Sequence, residues 1–336
     1  MTKRATLILA TGILIAAGGA YTLAEGDDDA KAHEFKLPLK EGQAVPIVWK
    51  SSSVMKEHTG HGMAKTADLE MAAEMLLTAG KSDGKGGMAG TLAVTRVYGR
   101  AELMGQTLWF DNQRPESIRL KSGESSYAGR LTTAPSAVTL DASGKVTRHE
   151  PDAKLLKAIA DSFKDTEDAK GNAEAVGKFL RNLADDPFAY FPGGPAKIDE
   201  SWPVHKHVAY IDPSGLPMSI DEVSECKLVS VTPTTQGRVA KVEVSGKVVL
   251  PDKDKKTELA EYSVFGAMRV NLDSASAKWH VQLVAHVKDE KDDSDALNHT
   301  ITIDVFTGDE AKAVTSRPAS QVAAATQPAS AKAAPP

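Results

Sequence analysis

Between about Phe35 and Phe306 the chain keeps returning to one pattern, an apolar residue followed by a polar one. A period of two sends alternate side chains to opposite faces of a strand, so one face is buried and the other wetted. Ala240, Val242, Val244, Val248 and Leu250 alternate with Lys241, Glu243, Ser245 and Lys247. Tyr262, Val264, Met268, Val270 and Leu272 alternate with Ser263, Arg269 and Asn271, and the run from Trp279 to Val287 alternates with His280, Gln282 and His286. Ile301, Ile303 and Val305 close the series. Turn residues separate the runs at Thr235-Gln236-Gly237, Pro251-Asp252-Lys253-Asp254 and Asp273-Ser274-Ala275-Ser276. A single wet face is the habit of antiparallel sheet.

The first half carries shorter runs: Thr91–Tyr98, Gln106–Asp111, Ser117–Leu120, Ala137–Leu140 and Val146–His149, the last two joined by the turn Asp141–Lys145. Asp68–Leu77 fits both periods, and local propensity prefers a helix there. Between the halves the period changes. Pro151 suits a first helical turn, and Leu155, Leu156, Ile159, Ala160 and Phe163 form one apolar stripe. A second helix runs from an Asn172 cap through Val176, Phe179, Leu180 and Leu183 and stops before Asp185-Asp186-Pro187. A Pro/Gly-rich connector, Pro187 to Pro195, leads to the second group of strands. The reading is α+β and mostly β, a curved, half-barrel-like antiparallel sheet (or sheets) with a central helical pair. One domain spans 35–306, made of strands over 35–150, helices over 151–186 and strands over 198–306.

The ends differ from this body. Lys3 and Arg4 precede an uncharged apolar run, Ala5 to Ala17, with small-residue cleavage sites near Ala20 and Ala24. Residues 1–24 therefore read as a signal peptide or an N-terminal anchor, and the body as extracytoplasmic, periplasmic or secreted. Ala311 to Pro336 is rich in Ala, Pro, Ser and Thr with no aromatic residue, and reads as a disordered tail. The formal charge of −5 blends unlike parts. Without residues 1–24 and 311–336 the body holds 35 basic against 45 acidic residues, a net −10. That charge argues against a nucleic-acid partner, and against membrane contact other than through an uncleaved N-terminus. The one cysteine cannot make an intrachain disulfide or a thiolate metal cluster.

Chemistry is thinly signalled. His205 and His207, two apart on an expected strand Val204–Ile211, face the same way and are the weak metal candidates, because zinc and copper need a third or fourth converging ligand. His280 with His286, and His58 with His61 in an expected loop, are weaker still. Asp27–Asp29 and Asp289–Asp295 lack the glycine and distal glutamate of an EF-hand. Gly84–Gly90 lacks the Gly-Lys-Ser/Thr of a phosphate loop and reads as a hairpin. Cys226 opens a strand-like run, Leu228–Val231, and reads as an inert thiol. No Gly-x-Ser-x-Gly, His-Glu-x-x-His or Ser-x-x-Lys motif stands in a supporting context, so no catalytic residue and no cofactor is assigned. Met55, Met63, Met71, Met75, Met88 and Met104 gather in the first half, where adaptable apolar surface suits a core or a lipid.

Several phrases carry a resemblance. Leu39-Lys40-Glu41-Gly42-Gln43, Thr107 to Asn112 with Arg114-Pro115-Glu116, Val138 to Asp141 with Gly144-Lys145-Val146, and Pro195 to Trp202 resemble, in order and spacing, the bacterial exported family DUF6263. The last phrase holds Asp199 where the family usually has glycine. The resemblance implies an exported, mostly β protein, makes Asp68–Leu77 a strand, and carries no catalytic residues. The plan also looks like the lipoprotein-carrier folds, in which a curved sheet wraps helices. The expected function is a non-catalytic envelope domain that binds an apolar ligand or an envelope component. The alternatives are a purely structural or interaction domain and an enzyme without a recognisable motif.

Overall fold

The computed structural model describes residues 31–59, 62–84, 87–103, 106–113, 135–162, 188–211, 217–249, 262–289 and 292–315, together with 170–171, 174 and 177–181. The expected signal segment, Asp27–Asp29, Ser117–Leu120, Pro251–Asp254 and most of the expected tail lie outside the described residues. The elements in chain order are β1 (Ala44–Thr59), β2 (Gly62–Ser82), β3 (Met88–Leu103), β4 (Gln106–Asp111), β5 (Ser136–Leu140), β6 (Val146–Glu150) and α1 (Ala153–Ser162). There follow β7 (Ser201–Ile211), β8 (Pro217–Thr234), β9 (Gly237–Val249), β10 (Ser263–Asn271), β11 (Ala277–Asp289), β12 (Asp292–Thr307) and α2 (Asp309–Thr315).

All twelve strands belong to one sheet, in the order β6-β5-β3-β2-β1-β12-β11-β10-β9-β8-β7, with β4 paired to β3 off the path. Every named pairing is antiparallel. The ends of the path do not pair, so the sheet is curved and unclosed. Its second half curls hard, and β7, six strands along the path from β1, comes back to within 8 Å of it. Two glycines permit the curl. A Cβ on Gly246 would stand 2.3 Å from Ser224 Oγ and 2.4 Å from the Val223 carbonyl, and one on Gly266 would stand 2.3 Å from the His280 carbonyl. Backbone can approach backbone that closely only where no side chain intervenes.

The inner face of this curl holds the main core. Ile47, Trp49, Leu69, Met71, Met75, Val242, Trp279, Leu283, Ile301 and Ile303 are buried there, which makes Met71 and Met75 core residues. The chain itself covers them. Leu156 of α1 and Phe179 and Leu180 of the helical residues 177–181 pack into the core, as do Phe188, Tyr190 and Phe191 of the connector. Phe191 lies parallel to Trp279 at 6.0 Å, Phe188 meets Trp279 edge-on at 6.4 Å, and Phe179 meets Trp49 at 5.6 Å. The helices thus cover part of the sheet, while an aromatic plug fills the tightest part of the curl.

Asp68–Leu77, where the residues fit both periods and the resemblance favours a strand, lies within β2, because the burial of Leu69, Met71, Ala73, Met75 and Leu77 against the inner core outweighs helix propensity. The structure departs from the sequence reading in two places. His58 belongs to β1 instead of a loop, since the β1–β2 ladder runs on to Thr59 opposite Gly62. Order at the C-terminal end persists beyond Ala311: Ala311–Thr315 completes α2, whose Ala311 is fully buried against Val48 and Phe306 on the outer face. Residues 316–336 lie outside the described residues.

Asp199 has φ +66°, in the left-handed region that glycine enters without strain. Asp199 is tolerated there, since a short polar side chain visits this region more readily than most. Its carboxylate meets Lys227 at 2.7 Å.

Candidate functional site

The register divides the inner face into rows that run around the curl. One row is dry: Trp49, Val305, Trp279, Met268, Val242 and Leu228 lie opposite one another from β1 to β8. The next holds Ser51, Ile303, Val281, Gly266, Val244 and Cys226. Beyond it come Ser53, Ile301, Leu283, Val264, Gly246 and Ser224. The row after that contains His299, Val248, Glu222 and Lys206, with Tyr262 just ahead of β10. Polar residues at inward positions, Ser51 among them, thus form a belt across three adjacent rows, on strands otherwise lined by Val, Ile and Leu.

The belt has two clusters. On β7 and β8, Glu222 is 1 % exposed and Ser224 is buried. The Ser224 hydroxyl donates to Glu222 Oε1 at 2.5 Å, and the Tyr190 hydroxyl reaches Glu222 Oε1 and Oε2 at 3.1 and 3.0 Å. Lys206 Nζ stands 3.9 Å from Glu222 Oε2 and 3.9 Å from the centre of the Tyr190 ring. The plug is therefore tied to the belt. Trp202 Nε1 adds a bond to the Tyr190 carbonyl at 3.1 Å, and His33 and Ala196 exchange backbone bonds at 2.8 and 2.9 Å. A buried carboxylate needs such partners, because water is no longer there to solvate it. Burial, with the Glu222 charge adding to it, pushes the Cys226 thiol up to about 12, which disfavours the thiolate.

The second cluster spans β1, β12 and the start of β10. Ser53 Oγ lies 2.9 Å from His299 Nε2, and the Tyr262 hydroxyl lies 2.8 Å from His299 Nδ1. Ser53 is 1 % exposed. A hydroxyl against an imidazole looks like the start of a hydrolytic triad, but the third member here is a phenol. Burial raises the Tyr262 pKa, which keeps the phenol neutral and unable to stabilise an imidazolium as a carboxylate does. The arrangement is suited to holding a polar group, not to activating Ser53.

The sequence candidates fall elsewhere. His205 and His207 lie on the outer, exposed face of β7, where His207 Nδ1 contacts Asp221 directly across the ladder. His280 is on the outer face of β11 beside Asp304 at 2.9 Å, which raises its pKa. The structure does not bring these histidines together. Among the described residues no group of three or more His, Cys, Asp or Glu is placed to hold a metal ion. Of the Gly84–Gly90 run, Met88–Gly90 lies in β3, which pairs antiparallel with β2, and residues 85–86 lie outside the described residues. Sequence reasoning passed over Ser51, Ser53, Glu222, Ser224, Tyr262 and His299 as site residues. The available signal was polar residues standing at inward positions of an alternating strand.

No helix among the described residues is long and apolar enough to cross a membrane. No family model matches the chain, and no curated protein matches it. Among solved structures, one of lipid–protein interactions in lipovitellin is 10% identical over 80% of this chain, with a TM-score of 0.42. The match spans 25% of that lipovitellin chain, so this protein corresponds to about a quarter of its length. An outer membrane channel of Pseudomonas putida F1 is 9% identical, covers 85% of this chain and 100% of its own, and has a TM-score of 0.21. DynF from the dynemicin biosynthesis pathway of Micromonospora chersina is 8% identical, covers 86% of this chain and 92% of its own, and has a TM-score of 0.19. Likenesses this distant assign neither a family nor a ligand to the chain.

Proposed function

We propose that this chain is an exported, non-catalytic binding domain of the cell envelope, in keeping with its resemblance to DUF6263. It takes an apolar ligand with a polar end against the inner face of its sheet. The belt carries this reading. A core selected for packing alone would hold aliphatic residues at 51, 53, 222 and 224, because a buried ion pair is often no more stable than an apolar replacement. Polar groups kept at inward positions despite that cost have something to meet. Met71, Leu69, Leu283 and Ile301 flank them in the register as buried apolar neighbours. The belt's position at one edge of the plug gives a ligand's polar end a place apart from its hydrocarbon. The test is native mass spectrometry of the gently purified chain. A co-purifying lipid-sized adduct is expected, and a clean polypeptide mass would sink the reading.

A second reading, a structural or interaction domain, draws on the plug. Phe188, Tyr190 and Phe191 already fill the tight end of the curl. In that case the inner face has its occupant, and the partner docks elsewhere. The same mass spectrum separates the two.

A further inference from the structure

The binding function proposed above puts a ligand on a face that the chain itself covers, so part of the cover has to move. The curl has one weak line. From β1 through β12, β11, β10, β9 and β8 to β7, each strand is joined to the next by an antiparallel ladder. β7 then returns to within 8 Å of β1, yet no ladder among the described residues joins the two. Parting β7 from β1 breaks no strand pairing, whereas parting any other neighbours in the curl breaks a whole ladder. Both sides of this seam carry belt residues, Ser51 and Ser53 on β1 and Lys206 on β7.

Residues 33–39 tie the two sides together. At one end the chain runs on into β1 at Ala44. At the other it is held to the segment that leads into β7: His33 N–H donates to the Ala196 carbonyl at 2.8 Å, and Ala196 N–H donates to the His33 carbonyl at 2.9 Å. Phe35 is buried against Trp202 of β7, with ring centres 5.8 Å apart, and against the plug residue Phe191 at 6.2 Å. Leu37 N–H donates to the Ser143 carbonyl in the β5–β6 turn at 2.8 Å. Gly144 lets Leu37 lie close there, since a Cβ on it would stand 2.7 Å from Leu37 Cβ. The segment is thus continuous with one side of the seam and attached to the other by the His33–Ala196 bridge and by Phe35. Short attachments of this kind open at lower free energy than strands paired on both edges. We infer that residues 33–39 are a clasp across an openable seam between β1 and β7, and that an apolar ligand reaches the inner face through it. The passage rests on the binding function proposed above; the opening is a property of the chain alone.

Two measurements on the full chain test this. In hydrogen exchange read by mass spectrometry, residues 31–39 should exchange about a hundredfold faster than β9, which is paired on both edges. Equal protection would overturn the clasp outright. The second measurement locks the clasp with His33→Cys and Ala196→Cys. Their two backbone bonds make them a hydrogen-bonded antiparallel pair, whose Cα atoms stand about 5.5 Å apart, within disulfide reach. Cys226, buried and with its thiolate disfavoured, stays out of the reaction. The probe is N-phenyl-1-naphthylamine, whose fluorescence rises in apolar surroundings. Closed with oxidised glutathione, the variant should take up the probe about tenfold more slowly than after reopening with dithiothreitol, because uptake follows the population of the open state. Phe35→Ala, with no crosslink, should speed uptake about tenfold for the same reason, and its result stands even if the cysteine pair does not fold. Equal uptake by the locked and reopened chains overturns the passage and leaves the binding function intact. No uptake by the natural chain overturns the binding function and the passage together, while the exchange rates still decide the clasp.

Discussion

Two stretches of one inner face are built on opposite principles. At the Trp49 and Trp279 row, aromatic rings meet aliphatic side chains, and the plug residues Phe188 and Phe191 complete the packing. One to three rows further along the same strands, a carboxylate, an ammonium, an imidazole, a phenol and three serines are carried inward. Backbone, register and curl are continuous between them, so the difference lies in the side chains alone. The first stretch maximises apolar contact and dispersion, which is what stabilises a fold. The second gives up part of that gain, and every polar group taken inside must find a partner or cost stability. The dry stretch accounts for the fold, and the belt is the part that the fold alone does not require.

The contrast can be broken most forcefully at the plug. Phe188→Ala should cost about 4 kcal/mol in denaturant unfolding, as for other large aromatic truncations in cores. A loss near zero would mean that the plug does not fill the curl. In the belt, Lys206→Met alone should cost about 3 kcal/mol, because it leaves Glu222 buried without its counter-charge. Adding Glu222→Leu should recover most of that loss, and a double variant no better than the single would show the pair to be a net stabiliser. At the seam between the two stretches, Gly246→Ala should cost about 2 kcal/mol, since the new methyl would meet Ser224 and the Val223 carbonyl. Calorimetric melting can check this directly. Where the plug's far end is anchored, Asp199→Gly should raise stability by about 1 kcal/mol through relief of left-handed strain, with little lost from the exposed Lys227 pair.

The smallest effects concern pH. Burial holds the His149 pKa below its ordinary 6.5, so the unfolded chain binds the proton more readily. Stability from this group is full above 6.5 and falls as the pH drops towards the folded value. The outer-face His280 is raised by Asp304, so its contribution is present below 6.5 and disappears as the pH rises through the folded value. Denaturation midpoints followed from about pH 5 to pH 8 should show His149→Gln flattening the acid side, and His280→Gln removing a modest gain there. The same slope in both variants would contradict these assignments.

How much of this was legible follows from the same contrast. The strands of the dry stretch announce themselves, because Val242, Val244, Trp279, Val281, Ile301 and Ile303 obey the period of two. Where the belt intervenes the signal fails. Ser51-Ser52-Ser53 gave no apolar alternation to mark β1, and Glu222 and Ser224 hid the first half of β8, so that only Leu228–Val231 read as strand. The belt was invisible to a hydrophobic pattern because its residues are polar at inward positions. The antiparallel strands and the first helix, Ala153–Ser162, were readable from periodicity, while the second expected helix lies largely outside the described residues. The plug looked like a mere connector, although Phe188, Tyr190 and Phe191 place three of the chain's 18 aromatic residues within four positions. His205 and His207 were rightly placed on one face, but nothing in their spacing said that it is the outer one.

The central claim is that the belt is kept for a ligand at some expense of stability. One side-by-side native mass measurement tests it, on the natural chain and on a variant carrying Ser51→Val, Lys206→Met and Glu222→Leu, both first shown by melting to be folded. The natural chain should retain a lipid-sized adduct through gentle purification, and the equally or more stable variant should lose it. An adduct retained undiminished by the variant, or absent from the natural chain, would contradict the account.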